Sequence, residues 1–156
     1  MKRLLYKGTE RRLHKDAANQ LTSGLAALVA RGDINLSPSY QRGLVWTAEQ
    51  RELLIDSLWY GISMPALIFR EMGWGQTPWL EVVDGKQRLD TICGFLGDRY
   101  RYDGKLLSEL PEAWRRTFRT VCVPVVTVSD LSDTDTIELY DRINFCGTPH
   151  RAEDRQ

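Results

Sequence analysis

Leu80-Glu81-Val82-Val83 is a short apolar-rich run that stops at Asp84-Gly85, and the residues that follow, to about Leu96, set Ile92 and Cys93 on an apolar helical stripe. A buried strand that turns at once into an amphipathic helix commits the chain to a sheet with a helix packed on it. It also fixes a point of chemical interest. A helix start exposes unpaired backbone N–H groups and the positive end of the macrodipole, so Lys86 and Arg88 there set cation against cation. An anionic ligand removes that conflict. Asp84 can cap the helix, Gly85 allows a tight turn or close approach to a ligand, and Arg88 can fork onto phosphate oxygens. The same residues also suit an Asp-Gly turn whose cations point into solvent, and spacing alone leaves both readings open.

The 156 residues, 42% hydrophobic and 27% charged, suffice for one globular domain with a core and are short for two. The division expected is a basic leader and first helix over 1–32, then the main body over 33–156, in a single domain overall. With 21 basic and 21 acidic residues, no global charge draws the chain to nucleic acid or to a membrane surface. No apolar run reaches transmembrane length and the start carries no secretory pattern, so a cytoplasmic protein with no membrane partner is expected. Cys93, Cys122 and Cys146 show no ligand spacing, which predicts reduced core or near-core thiols and no metal site. His14 reads as a solvated surface residue.

Along the chain, a leader bearing Lys2, Arg3, Lys7, Arg11, Arg12 and Lys15 precedes a helix marked by Leu21, Leu25, Leu28 and Val29, which Gly32 ends. Asp33 to Leu36 predicts a short strand before the loop Pro38-Ser39-Tyr40-Gln41-Arg42. Thr47 and Gln50 form a capping-box pattern for a second helix with Leu54, Ile55, Leu58 and Trp59 on its apolar face. Ala66 to Arg70 predicts a strand that pairs with Leu80–Val83 as a hairpin. Pro111 opens a short helix through Phe118 with Arg115, Arg116 and Arg119 on its polar side. Val121 to Val128 reads as the last strand, with Pro124 arguing for a sheet edge or a bulge. Ser132 to Asp135 caps a final helix with Ile137, Tyr140 and Ile143 turned inward.

Three separated motifs, 38–46 around Tyr40-Gln41-Arg42, 83–89 around Asp84-Gly85-Lys86-Gln87-Arg88, and 142–149 around Asn144, Gly147 and Thr148, resemble the successive signatures of the family called domain of unknown function 262. That family sits in the ParB/sulfiredoxin-like superfamily and includes the N-terminal domain of GmrSD-type restriction proteins. The resemblance runs from about Asp33 to Glu153. It implies an α+β fold, a small mixed sheet flanked by helices. It also implies binding of a nucleoside triphosphate (NTP), in some members with hydrolysis, that controls an attached or partner nuclease. The site residues it implies are Asp84, Gln87 and Arg88 in catalytic positions, with Tyr40, Gln41, Arg42, Gly85, Lys86, Asn144, Gly147 and Thr148 around the nucleotide. Asp84 would cap the turn or help hold Mg2+ through water.

Lys86 and Asp90 depart from the family pattern Asp-Gly-Gln-Gln-Arg and the threonine that usually follows. Lys86 keeps phosphate binding but removes an amide that could orient water, which sets hydrolysis in question. The helical second half and nuclease of large restriction members do not follow Gln156, so the expectation is a compact stand-alone version of phage or mobile-element origin, or a piece of a longer protein. Restriction or anti-restriction biology follows by association. The competing readings are a non-catalytic DNA- or protein-binding module using Arg42, Lys86, Arg88, Arg115, Arg116 and Arg119, and a ParB-like nuclease. Glu81, Asp84 and Asp90 do not converge by spacing on one metal ion.

Overall fold

The computed structural model describes residues 15–41, 43–73 and 75–145. Arg42, Gly147 and Thr148, together with His14, Cys146 and the leader cations from Lys2 to Arg12, lie outside the described residues. The described chain runs β1 (Lys15–Leu21), α1 (Thr22–Ala30), β2 (Ile34–Asn35), α2 (Ala48–Trp59), β3 (Leu67–Glu71), β4 (Leu80–Asp84), α3 (Lys86–Leu96), α4 (Glu112–Arg119), β5 (Cys122–Val128) and α5 (Asp133–Phe145), with a 3-10 turn at Leu107–Glu109. The five strands make one mixed sheet in the order β1-β5-β3-β4-β2.

The expected hairpin is the centre of that sheet. β3 and β4 pair antiparallel, with an irregularity between Ile68 and Phe69, while β3 pairs β5 and β2 pairs β4 in parallel. Strand alternation then sorts side chains onto two faces. Leu67, Phe69, Leu80, Val82, Val123 and Val125 join Leu25, Ile55, Leu58, Leu89, Ile92, Phe95 and Phe118 in one core, so α1 to α4 cover that face. Phe95 and Phe118 meet edge to face at 5.0 Å, and Trp59 stands 5.4 and 5.1 Å from them. Each such buried ring contributes about 1.5–3 kcal/mol by burial alone. The opposite face is different. Arg70 sits across from Glu81, both buried, and the start of α5 closes over them through Arg70 to Asp133 at 2.8 Å and to the Leu131 carbonyl at 2.9 Å.

Four expectations change. Lys15–Leu21 is a strand, antiparallel to β5, where the sequence predicts leader and helix; all seven residues are exposed, and the pairing comes from the open edge of β5 rather than from any alternation of their own. β5 is consequently not an edge strand. Pro124 faces Asn19 of β1 and lies one residue before the β3 ladder begins at Val125, so it stands beyond the reach of β3 without a bulge. On α5, Ile137 is 44% exposed and Thr136 is buried in its place, bonding the Ser132 carbonyl at 2.8 Å. Cys122 is exposed at the start of β5, whereas Cys93 is partly buried against the core. Thr47 and Gln50 do form the reciprocal cap of α2, and Ser132 and Asp135 bond each other at the head of α5.

Candidate functional site

The turn from β4 into α3 is built around Gly85. Its backbone is left-handed, φ +93° and ψ 15°, and a Cβ added there would come within 3.0 Å of the buried Leu67 side chain and 3.2 Å from the Arg88 guanidinium. Glycine is therefore required twice, by backbone conformation and by space. Gly85 itself takes the N-cap position, and no side chain caps α3. The expectation that Asp84 caps the helix fails because its carboxylate is engaged elsewhere: it pairs with Arg88 at 2.7 Å, one turn on.

Arg88 is held from both sides. One guanidinium nitrogen meets Asp84 and another donates to the Pro65 carbonyl, leaving the side chain 13% exposed. Burial lowers its pKa from the ordinary value, with Asp84 working in the opposite direction. The group thus straps the turn to the segment before β3.

The two glutamines act as braces. Gln41 donates its amide to the carbonyls of Val82 and Val83 at 2.6 and 2.9 Å. Gln87 accepts from the N–H groups of Val45 and Trp46 at 3.1 and 3.2 Å and donates to the Gly43 carbonyl at 2.9 Å. Together they lay the described residues 38–41 and 43–47 along the end of β4 and the first turn of α3. Tyr40 extends this seam: its hydroxyl donates to Glu81 at 2.8 Å and its ring lies 5.4 Å from Tyr140 of α5. Burial, then the hydrogen bond and charge of Glu81, raises the Tyr40 pKa far above the usual phenol range. Asn35 adds a bond to the other Glu81 oxygen at 3.2 Å, so this buried carboxylate is satisfied by Tyr40, Asn35 and the nearby Arg70 guanidinium at 3.7 Å.

The structure therefore gathers Tyr40, Gln41, Asp84, Gly85, Lys86, Gln87 and Arg88 at one end of β4. Asn144 lies in the last turn of α5, bonding the Tyr140 carbonyl at 2.8 Å. Arg115 pairs with Glu112 at 2.5 Å, and Arg116 and Arg119 are exposed on α4. Asp90 proves structural: it accepts from the Tyr100 hydroxyl at 2.5 Å and from Arg99 at 3.2 Å, and Gly94 leaves room for the Tyr100 ring. Sequence reasoning weighed Glu81 only as a metal-site carboxylate and missed its role in this seam, for which its position inside an apolar strand was the available signal, and it missed Arg70 beside it.

The described residues do not fit a protein-held magnesium ion. Among the described residues no three His, Cys, Asp or Glu side chains could hold a metal, and the Asp84 carboxylate is spent on Arg88. What the turn does offer is a helix start with no side-chain cap and a glycine that allows close approach. Among the described residues, clefts lie elsewhere as well, one of about 480 Å3 beside Trp79 and Gln76 in the hairpin turn and one of about 400 Å3 between α2 and α4.

The architecture is a mixed five-stranded sheet with a strand-to-helix glycine turn at one end of its central hairpin. The fold is similar to that of the C-terminally truncated chromosome-partitioning protein ParB from Caulobacter crescentus, solved in complex with CTP-gamma-S, with a TM-score of 0.51 and 13% identity. The likeness covers 89% of this chain, which spans 58% of that one. The family model for the N-terminal domain of GmrSD restriction endonuclease matches residues 25–121, and the chain belongs to that family. No curated protein matched the sequence. Among the described residues no helix is long and apolar enough to cross a membrane.

Proposed function

We propose that this chain is a nucleotide-binding domain of a restriction system, holding the phosphates of a nucleoside triphosphate over the start of α3. The observation that carries the reading is the uncapped first turn of α3 behind a left-handed Gly85, framed by a loop that Gln41 and Gln87 fix in place. The N–H groups of Lys86, Gln87 and Arg88 supply the anion cradle and Lys86 adds positive charge. The ParB neighbour, crystallised with a CTP analogue, gives the fold a precedent for such a ligand. Arg42, Asn144, Gly147 and Thr148 remain nucleotide contacts by family resemblance.

Binding is better supported than turnover. Gln87 commits its amide oxygen to the N–H groups of Val45 and Trp46 and one amide N–H to the Gly43 carbonyl, so its side chain is tied to the loop as a brace. Asp84 and Arg88 neutralise each other in the same way. The domain then serves as a sensor in the cytoplasm, its nucleotide state read by a nuclease or other defence protein acting on DNA.

Calorimetric titration with ATP, GTP, CTP and UTP, with and without magnesium, tests this directly. At least one nucleotide binds, and Lys86→Gln weakens it several-fold. Failure of all four to bind defeats the reading. If DNA binds instead, with an affinity that falls steeply with salt, the module is a nucleic-acid reader.

A further inference from the structure

The cleft of about 400 Å3 between α2 and α4 lies on elements that carry none of the motif residues. Four aromatic side chains line it: Trp59 and Tyr60 at the end of α2, Tyr102 in the turn after α3, and Trp114 in α4. Trp59 anchors the group, with Tyr102 at 4.9 Å and Trp114 at 5.7 Å between ring centroids. Trp114 and Tyr60 are nonetheless 52% and 77% exposed, so large apolar rings stand at the rim where no core needs them.

Among the described lining residues the only charged group is Asp56. The Tyr102 hydroxyl donates to one of its carboxylate oxygens at 2.5 Å, which fixes the carboxylate within the ring of aromatics. Aromatic faces carry the negative side of the ring quadrupole and attract cations, and a carboxylate adds a full negative charge. No lysine or arginine of the described lining answers that charge.

We propose that this cleft binds a small organic cation of the alkylammonium type, seated against Trp59, Tyr60, Tyr102 and Trp114 with Asp56 as counter-ion. The volume exceeds that of a trimethylammonium group and leaves room for a short substituent. An anionic nucleotide is excluded by the same charge, so the site is chemically distinct from the turn before α3.

The probe is tetramethylammonium, compared with neopentyl alcohol as a neutral compound of similar shape, each titrated into the whole chain and followed by indole N–H shifts in NMR spectra. The cation binds about tenfold more tightly than the alcohol, and its largest shifts fall on Trp59 and Trp114. Asp56→Asn keeps an acceptor for Tyr102 and removes the charge; Trp114→Leu keeps apolar volume and removes a ring face. Each weakens tetramethylammonium several-fold while the remaining indole shifts stay in place, which shows an intact fold. Equal binding of the alcohol, or shifts spread over all five tryptophans with no effect of either variant, overturns the proposal.

Discussion

Gly85→Ala tests the physical account of the turn most sharply. The new residue must adopt φ +93°, a left-handed conformation that costs a non-glycine residue about 1–2 kcal/mol. Its methyl group would also press within 3.0 Å of Leu67, the first residue of β3, which is wholly buried in the core and has little room to retreat. Overpacking of that kind costs about 1–3 kcal/mol. The loss of glycine's freedom in the unfolded chain offsets about 0.4–1 kcal/mol, leaving a net destabilisation of roughly 1–4.5 kcal/mol. Gly24→Ala is the matched control. It lies within α1 with ordinary backbone angles, and its added Cβ would find the Gln20 side chain at 3.8 Å, an ordinary contact. The same chemical change there stabilises by about 0.4–1 kcal/mol. Urea denaturation reads both from the midpoint at constant slope. A Gly85→Ala protein within about 1 kcal/mol of the wild type would mean that the turn relaxes freely, and the strained-glycine account would be wrong.

Arg88→Ala lowers stability by about 1–3 kcal/mol, because it leaves Asp84 and the Pro65 carbonyl without their partner; an unchanged denaturation midpoint would show the strap to be idle. Burial, and then the charge of Asp90, raises the Cys93 thiol to about 12, so iodoacetamide at mildly alkaline pH labels Cys122 in the native protein and spares Cys93, as peptide mass mapping will show. The hydrogen bond to Asp56 raises Tyr102 from 10.0 to about 12. A raised folded pKa gives stability that is complete below pH 10 and is lost as pH climbs towards 12; melting curves across that window should fall less steeply for Tyr102→Phe than for the wild type.

Local patterns revealed what local forces decide. The capping box at Thr47 and Gln50, the β3–β4 hairpin and the glycine turn before α3 were all legible, since each depends on residues a few positions apart. The strand at Lys15–Leu21 was not, because Lys-Asp-Ala-Ala-Asn-Gln-Leu has neither alternation nor β-branched residues and pairs only because β5 presents an open edge. Pro124 misled for the same reason: its meaning depends on where β3 starts relative to β5. At the site, the positions of Gln41, Asp84, Gln87 and Arg88 could be named from sequence, yet their bonding could not. Gln41 and Gln87 reach partners some forty residues away, and Arg88 finds its strap at Pro65, so contacts across the sheet end decide whether a polar side chain faces a ligand or the protein itself. Thr136 displaced Ile137 from the inner side of α5 by bonding back to Ser132, a choice that hydrophobic spacing alone does not register.

The sheet order also sets a timetable for synthesis. Of the described strands β1 is made first, yet among them its only neighbour in the sheet is β5, which is made last. Until Val128 has emerged, the β5 partner of Lys15–Leu21 is incomplete, and the bonds from Thr22 to Val121 and Phe118 wait with it. β2, β3 and β4 with the helices between them can assemble earlier through nearer contacts, because closing the longest loop has the largest entropic cost. Sealing that flank is thus a late event in the life of a nascent chain, and a strand with seven exposed residues suits a segment that must stay soluble while it waits.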